Sequence, residues 1–413
     1  MAEKHAVTRR LAEGYRRAGK KEKGAILDML CEVTGYNRDH AARLLRAGPP
    51  PDRPKKTRKN RSRPRVYDAD VLFALRKVWA TLDELCGKRL AAAMPHMVAA
   101  MERCGELMVS AEVRAKLLAM SAATIDRLLA PDRAKLALKG RTGTKPGTLL
   151  KHQIPIKTFA DWDDARAGFV EIDLVAHDGG APRGEYCHTL DVTDVATGWT
   201  ETRAVRNKAQ VHVFAAIKEI RRRLPFPVLG IDSDNGSEFI NHELHRYCEE
   251  KRITFTRSRA YKKNDGCYVE QKNWSVVRRN AGYARFDTPE ELACLNELYT
   301  ILREHTNYFM PSAKLLSKTR EGAKVIKRYD TPKTPYARVL DSEHVTQAAK
   351  HRLTRRYEQL NPVALKRTIT GLQKRLYELV SLKESIRRRE VRAPDLDDIY
   401  DESTNVMFDD ILT

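Results

Sequence analysis

The chain has 413 residues, 42% of them hydrophobic, with 76 Lys and Arg against 55 Asp and Glu and a formal charge of +21. That length predicts roughly two to four folded units. No run approaches the roughly 20 apolar residues of a spanning helix, and Met1-Ala-Glu-Lys-His lacks the apolar stretch of a secretory signal; no membrane partner and a cytosolic location are expected. Each Lys or Arg that neutralises a phosphate releases a condensed counterion, so the basic excess favours nucleic acid over an anionic membrane. The seven cysteines are scattered without a C-x-x-C pair, which argues against a disulfide framework and a cysteine zinc site.

Residues 1–48 read as a small helical unit. Lys20 to Glu32 places Ile26, Leu27 and Leu30 on one face, Thr34-Gly35 turns, and a second helix runs through His40, Ala41, Leu44 and Leu45 to Gly48. Two helices joined by a Gly-containing turn fit a helix-turn-helix, with Tyr36, Asn37, Arg38 and Arg43 facing DNA; an ordinary helical hairpin has the same pattern. Residues 49–66 hold eight basic residues, Arg53, Lys55, Lys56, Arg58, Lys59, Arg61, Arg63 and Arg65, against the single acid Asp52. Prolines keep such an arm extended, suited to a narrow minor groove or to service as a solvated linker.

Residues 67–138 form a second helical region. Leu72, Leu75, Val78 and Leu82 share a stripe, and a pair of helices at Ala111–Ala119 and Ala122–Leu129 follows, with Ser121 as N-cap. This is a second helix-turn-helix candidate, exposing Thr124, Asp126 and Arg127. Residues 139–153 make another basic linker, in which Lys139, Arg141 and Lys145 are offered to DNA.

From 154 to 329 the pattern becomes mixed α/β. Phe169–Val175 reads as a buried strand, Tyr186–Thr193 and Trp199–Val205 as a hairpin, and Lys208–Leu224 as an amphipathic helix with Val211, Phe214, Ile217 and Ile220 inward. Pro227–Asp232 is a strand, Glu238–Glu250 a helix, Ile253–Thr256 a strand, and a helix starting near Asp265 carries Glu270. Strands followed by alternating helices and strands is the order of a ribonuclease H-like core. The fold class is thus multidomain, with helical N-terminal DNA-binding modules, an α/β core and a mainly helical C-terminal region over 330–393. There Leu365, Ile369, Leu372, Leu376 and Leu379 form a stripe, read as a helix docked on its own domain in preference to a dimerising coiled coil. The tail 394–413 carries seven acids and no base; it reads as a cover for a basic surface, a partner-binding peptide or a solubilising tail.

Asp173 interrupts a strand, Phe169 to Val175, read as buried, and a carboxylate there costs several kcal/mol unless paired or metal-bound. Asp234 follows the second apolar strand, held at its lip by the Asn235-Gly236 turn, where ligands of α/β sheets bind. Glu270 sits where a polar loop becomes a helix. Three converging carboxylates are hard oxygen donors suited to magnesium or manganese, and such a pair of ions supports in-line displacement at phosphorus.

The segments VEIDLVAH, GIDSDNGSEF and KKNDGCYVEQKN resemble the three signature stretches of the retroviral integrase superfamily and its bacterial insertion-sequence transposases. Thirty-five residues lie between Asp234 and Glu270, the interval found in that family, and the resemblance runs from Phe169 to Arg320. It implies a DNA transposase of the DDE type whose Asp173, Asp234 and Glu270 are catalytic and bind two Mg2+ or Mn2+ ions. It further implies double-stranded DNA partners, transposon ends and target, and at least a dimer on DNA in the bacterial nucleoid. The His–His–Cys–Cys zinc module of retroviral integrases is missing from the N-terminus.

Arg259, Lys262, Lys263, Lys272 and Asn273 are expected to hold the scissile strand. Asp232 is a rival ligand; Asp191 and Asp194 read as structural, His177 as a surface-loop histidine, and Trp274 as a core residue in preference to a base-stacking one. Two alternatives stand beside the transposase: a DNA-binding regulator derived from one, and a ribonuclease H-like nuclease without strand transfer.

Overall fold

The computed structural model describes residues 2–48, 66–136, 166–234, 236, 238–239, 241–257 and 267–390. It has two compact units, Met1–Val66 and Tyr67–Thr413. In the first, α1 (Ala2–Arg17), α2 (Lys20–Thr34) and α3 (Arg38–Ala47) enclose Ala12, Tyr15, Leu30, Ala41 and Leu45. Gly35 ends α2 in the left-handed region at φ 68° and donates to Cys31 O, the conformation glycine adopts without a Cβ penalty. Asn37 caps α3 by accepting from Asp39 N at 3.0 Å. The two predicted helices are therefore present, and α1 is added to them.

The second unit begins with α4 (Ala69–Thr81), α5 (Gly87–Arg103), α6 (Ala111–Leu118) and α7 (Ala122–Leu136). Leu75, Val78 and Leu82 of the predicted stripe are fully buried, and Ser121 Oγ accepts from Thr124 N at 3.3 Å at the start of α7. α5 escaped the sequence reading because Pro95 stands inside it and reads as a helix breaker. These helices are tied to the rest of the unit: Arg89 Nε donates to Pro311 O at 2.6 Å and His305 Nε2 meets Thr81 O at 2.8 Å.

The sheet follows: β1 (Phe169–Ala176), β2 (His188–Asp194), β3 (Thr200–Val205), then α8 (Gln210–Arg223), β4 (Gly230–Ser233), α9 (His242–Lys251) and β5 (Thr254–Arg257). Strand order is β3-β2-β1-β4-β5, with β1, β2 and β3 antiparallel and β4 and β5 parallel to β1. This is a ribonuclease H-like core, as the element order predicts. On α8 the inward face is Val213, Ala216, Ile217 and Ile220, while Val211 is 65% exposed. Val211, expected inward, stands two residues from Val213, about 200° around the helix at 3.6 residues per turn, and so points away from the sheet. Phe214 is half-buried, edge-on to Tyr247.

Beyond β5 come α10 (Cys267–Lys272), a π-helical turn at Asn273–Arg278, α11 (Arg279–Ala281) and α12 (Pro289–Phe309). The exposed hairpin of β6 (Leu315–Glu321) and β7 (Lys324–Tyr329), not anticipated as strands, precedes α13 (Pro335–Asp341), α14 (Gln347–Gln359) and α15 (Pro362–Glu390). Ile369, Leu376 and Val380 of α15 share one buried cluster with Leu295, Leu298 and Leu302 of α12, and Lys383 pairs with Asp287 at 2.9 Å and Glu291 at 2.6 Å. The C-terminal stripe is thus docked on its own unit.

Entry into β1 depends on Gly168, whose φ is +119°. Its N–H donates to Asp194 Oδ1 at 2.8 Å and its carbonyl accepts from Leu229 N at 2.7 Å. A Cβ here would lie 2.5 Å from Pro227 O. Gly168→Ala should cost roughly 1–3 kcal/mol of strain, read as a lower urea midpoint with unchanged slope. A midpoint equal to wild type would refute this reading of β1.

Candidate active site

Parallel pairing sets Ile172 beside Ser233, so the next residues along the two strands, Asp173 and Asp234, emerge side by side at the C-terminal lip. On the other flank Asp173 is the cross-strand partner of Asp191. Asp173 Oδ1 accepts from Leu174 N at 2.7 Å and Oδ2 from Asn273 Nδ2 at 2.5 Å. Burial pushes the Asp173 carboxyl above the usual carboxylate range, against those two hydrogen bonds. Asp234, open to solvent on one side, is raised to about 6, first by loss of hydration around its carboxyl and next by the charge of Asp173. Its Oδ1 accepts from Gly236 N at 2.9 Å, the local turn that the Asn-Gly pair suggested.

Asp191, expected to be structural, is fully buried and lies beside Asp173. Burial raises its carboxyl to about 8, Lys272 opposing and Asp173 adding to the shift. Thr193 Oγ1 donates to Asp191 Oδ1 at 3.2 Å, and among the described residues Asp191 Oδ2 has no hydrogen-bond partner. Burial also lowers the Lys272 ammonium to about 8, Asp191 pulling the other way. Period-two alternation in HTLDVTD, paired antiparallel with β1, is the signal that would have placed Asp191 here.

Glu270 arrives on α10 and is exposed. What holds α10 is Glu171, a residue the sequence reading passed over. It is 2% exposed, and its Oε2 accepts from Tyr268 N at 3.0 Å and Val269 N at 3.1 Å. Those amides are first-turn donors with no partner inside the helix, and a carboxylate at a helix N-terminus also suits its dipole. Glu171 lies on the same face of β1 as Asp173, two residues away, so one strand carries both the acid and the tether of the third acid's helix. Asp232, the rival to Asp234, is 1% exposed and accepts from Thr256 Oγ1 at 2.7 Å, which places it within the sheet below the lip. Among the described residues no three His, Cys, Asp or Glu side chains converge closely enough to hold a metal ion; Asp173 is flanked by Asp191 on one side and Asp234 on the other.

Two expectations change. His177 is fully buried, not a surface-loop residue; its Nε2 meets Thr189 Oγ1 at 2.7 Å, and burial lowers it to about 3, so a neutral ring fills this position. Trp274 is 57% exposed, not core, because it follows Glu270 by four residues and shares its solvent-facing side of the helix. Asp194 is structural as expected, accepting from Gly168 N and from Thr197 N and Oγ1.

Of the residues offered to DNA, Arg43 and Arg127 are exposed and Thr124 is half-buried. Tyr36 packs edge-on to His40, ring centroids 5.0 Å apart; Asn37 is the α3 cap; and Arg38 pairs with Asp28. Asp126 accepts from Gly87 N at 2.8 Å and pairs with Arg133 at 2.5 Å, so it joins α7 to α5. Arg53, Lys55, Lys56, Arg58, Lys59, Arg61, Arg63, Arg65, Lys139, Arg141, Lys145, Arg259, Lys262 and Lys263 lie outside the described residues, as does the acidic tail.

The family model described as integrase core domain matches residues 163–263, the stretch that holds Asp173 and Asp234. Protein y4rM of Sinorhizobium fredii (strain NBRC 101917 / NGR234) is 42% identical over 338 residues, covering 82% of this chain and 95% of its own. Among solved structures, the catalytic core domain of BIV integrase is similar at 19% identity over 43% of this chain and 96% of that one, with a TM-score of 0.28. The HTLV-2 integrase catalytic core domain, in a dimeric complex with magnesium, is similar at 15% identity over 36% of this chain and 93% of its own, TM-score 0.28.

Proposed function

The chain belongs to the family of Sinorhizobium fredii protein y4rM and carries an integrase core domain within residues 163–263, and from that premise we propose that it is a DDE transposase. In this reading it binds the inverted repeats at the ends of a mobile element, exposes their 3′ ends and joins them to target DNA. The observation that carries the reading is that Asp173 and Asp234 each follow a residue of the last paired rung of β1 and β4, close enough for one charge to act on the other, with Glu270 on the helix tethered by Glu171.

The donor set fits hard divalent cations. Asp173 and Asp234 are both held above the usual carboxylate range, first by burial and, at Asp234, next by the charge of Asp173; a hard divalent cation is the kind of partner that such desolvated carboxylates take. Asp173, Asp234 and Glu270 are the residues that would hold two Mg2+ or Mn2+ ions. Such ions, when bound, activate a water or a DNA 3′-hydroxyl and stabilise the leaving oxygen. Asn273 keeps Asp173 oriented, and Glu171 fixes the approach of α10. Trp274, exposed on the Glu270 side of the helix, is placed to stack on an unpaired base near the reacting bond.

Arg43, Arg127 and the basic segments 49–66 and 139–153 would grip the ends, with at least a dimer needed to bring two ends together. Among the described residues no helix is long and apolar enough to cross a membrane, and a nucleoid location follows from the DNA reading alone. An oligonucleotide carrying the element's end should be cut and joined to a target plasmid in magnesium, and in neither step with a chelator. Asp234→Ala should still shift the end fragment in a gel while losing both products. Cutting without joining in wild type would favour a ribonuclease H-like nuclease; end binding with neither step, a regulator. Either result overturns the transposase.

A further inference from the structure

A cleft of about 300 Å3 opens between the last turn of α8, α12 and α14, and arginines dominate its walls: Arg222, Arg223, Arg303, Arg352 and Arg356, with Tyr308 beside them. Like charges converging from three helices repel one another, so the arrangement persists only where carboxylates or a ligand offset it. Carboxylates hold three of the five. Arg303 Nε donates to Glu201 Oε1 at 2.6 Å, and its Nη2 to Arg223 O at 3.1 Å. Arg223 pairs with Glu219, which also takes Arg203 at 3.0 Å. Arg356 Nε donates to Glu304 Oε1 at 2.7 Å. Among the described residues no carboxylate pairs with Arg222 or Arg352, both exposed.

The cleft is not part of the acidic site. Leu224, in its wall, leads toward the N-terminal end of β4, whereas Asp234 follows the C-terminal end, so the two lie at opposite ends of the sheet. None of the five arginines is singled out by the sequence; Arg221, Arg222 and Arg223 form the last turn of α8, where basic residues suit the helix dipole. Only the packing of α12 and α14 makes a concavity of them.

Resting on the DNA reading above, we propose that this cleft binds backbone phosphates of duplex DNA away from the reacting bond. Guanidinium forks match phosphate oxygens in bidentate geometry, and a fork already oriented by a carboxylate loses little freedom on binding. The three paired arginines form the oriented wall; Arg222 and Arg352 are the charges left to neutralise phosphate. The contact carries no base recognition, so it adds affinity to end and target DNA alike.

The full chain is titrated with a fluorescently labelled duplex at several salt concentrations, comparing wild type with Arg222→Glu, Arg352→Glu and the double variant. The control is Lys374→Glu, the same charge change as either single variant, at an exposed α15 residue; its loss is compared with theirs. The double variant should lose on the order of tenfold in affinity, and its plot of log K against log salt should be shallower by roughly two contacts at about 0.9 each. An unchanged slope, or an equal loss in Lys374→Glu, overturns the proposal while leaving the transposase reading intact. A wild-type chain that binds no duplex overturns both. If tripolyphosphate binds wild type but not the double variant and duplex affinity is unchanged, the ligand is a free polyphosphate and the duplex assignment falls.

Discussion

Asp173→Asn is expected to abolish DNA cutting and joining, by on the order of 10^3-fold or more, equivalent to about 4 kcal/mol of barrier, while leaving the fold and DNA binding in place. The substitution removes one negative charge from the centre of a row that runs from Asp191 through Asp173 to Asp234. It leaves the shape almost unchanged. The new amide presents an NH2 where Asp173 Oδ2 now accepts from Asn273, and Asn273 can meet it by turning its own amide. Its Oδ1 is buried and, among the described residues, has no partner, so the flip gives that acceptor a donor while the Nδ2 donor takes the place Oδ1 held, and the number of unmet groups does not rise.

Thermal stability without divalent cations should therefore stay level or rise, since burial already penalises the Asp173 charge. In wild type, magnesium should raise the melting temperature by mass action on the folded state, and in Asp173→Asn that increment should vanish. A variant that keeps both activity and the magnesium increment would remove Asp173 from the site.

Glu171→Ala should lower the cutting rate by roughly 10–100-fold, the range seen when a group supporting a metal ligand is lost. Two first-turn amides of α10, Tyr268 N and Val269 N, would lose their acceptor inside the protein, at roughly 1–3 kcal/mol for each one left unmet. The first turn would then fray, and Glu270 rides on that turn. Glu171→Gln keeps an acceptor oxygen that both amides can share, so it should recover most of the rate despite losing the charge. End binding should be equal in all three proteins. If Glu171→Gln is instead as inactive as Asp173→Asn, and loses the magnesium increment too, then Glu171 is itself a cation ligand and the tether reading fails.

Asp173 and Glu171 differ in how much of their role is local to the chain. Asp173 was visible because it breaks an apolar run and stands in VEIDLVAH. Glu171 stands in the same run and is buried where Asp173 is half-buried, but nothing in one strand says which distant amides will satisfy it. Asp191 was likewise visible only as a polar residue on a hairpin; its place beside Asp173 follows from antiparallel register. Val211 and Trp274 were misplaced for a related reason. Periodicity shows that a helix has an apolar side but not which turn meets the sheet, and Trp274 takes its exposure from the side on which Glu270 faces solvent.

Local sequence already carries the basic character, the order of helices and strands that makes a ribonuclease H-like core, and the acids standing in its signature stretches. Those are local or additive properties: charge sums, apolar spacing and turn chemistry depend on neighbours in the chain. The three-dimensional packing brings Asp173 and Asp234 to one lip with Asp191 buried beside Asp173. It alone showed that Glu171 holds the helix of Glu270, that α15 docks on α12, and that arginines of α8, α12 and α14 face one cleft. Each of those facts pairs residues far apart in the chain, and such pairing is settled by the packing of whole elements.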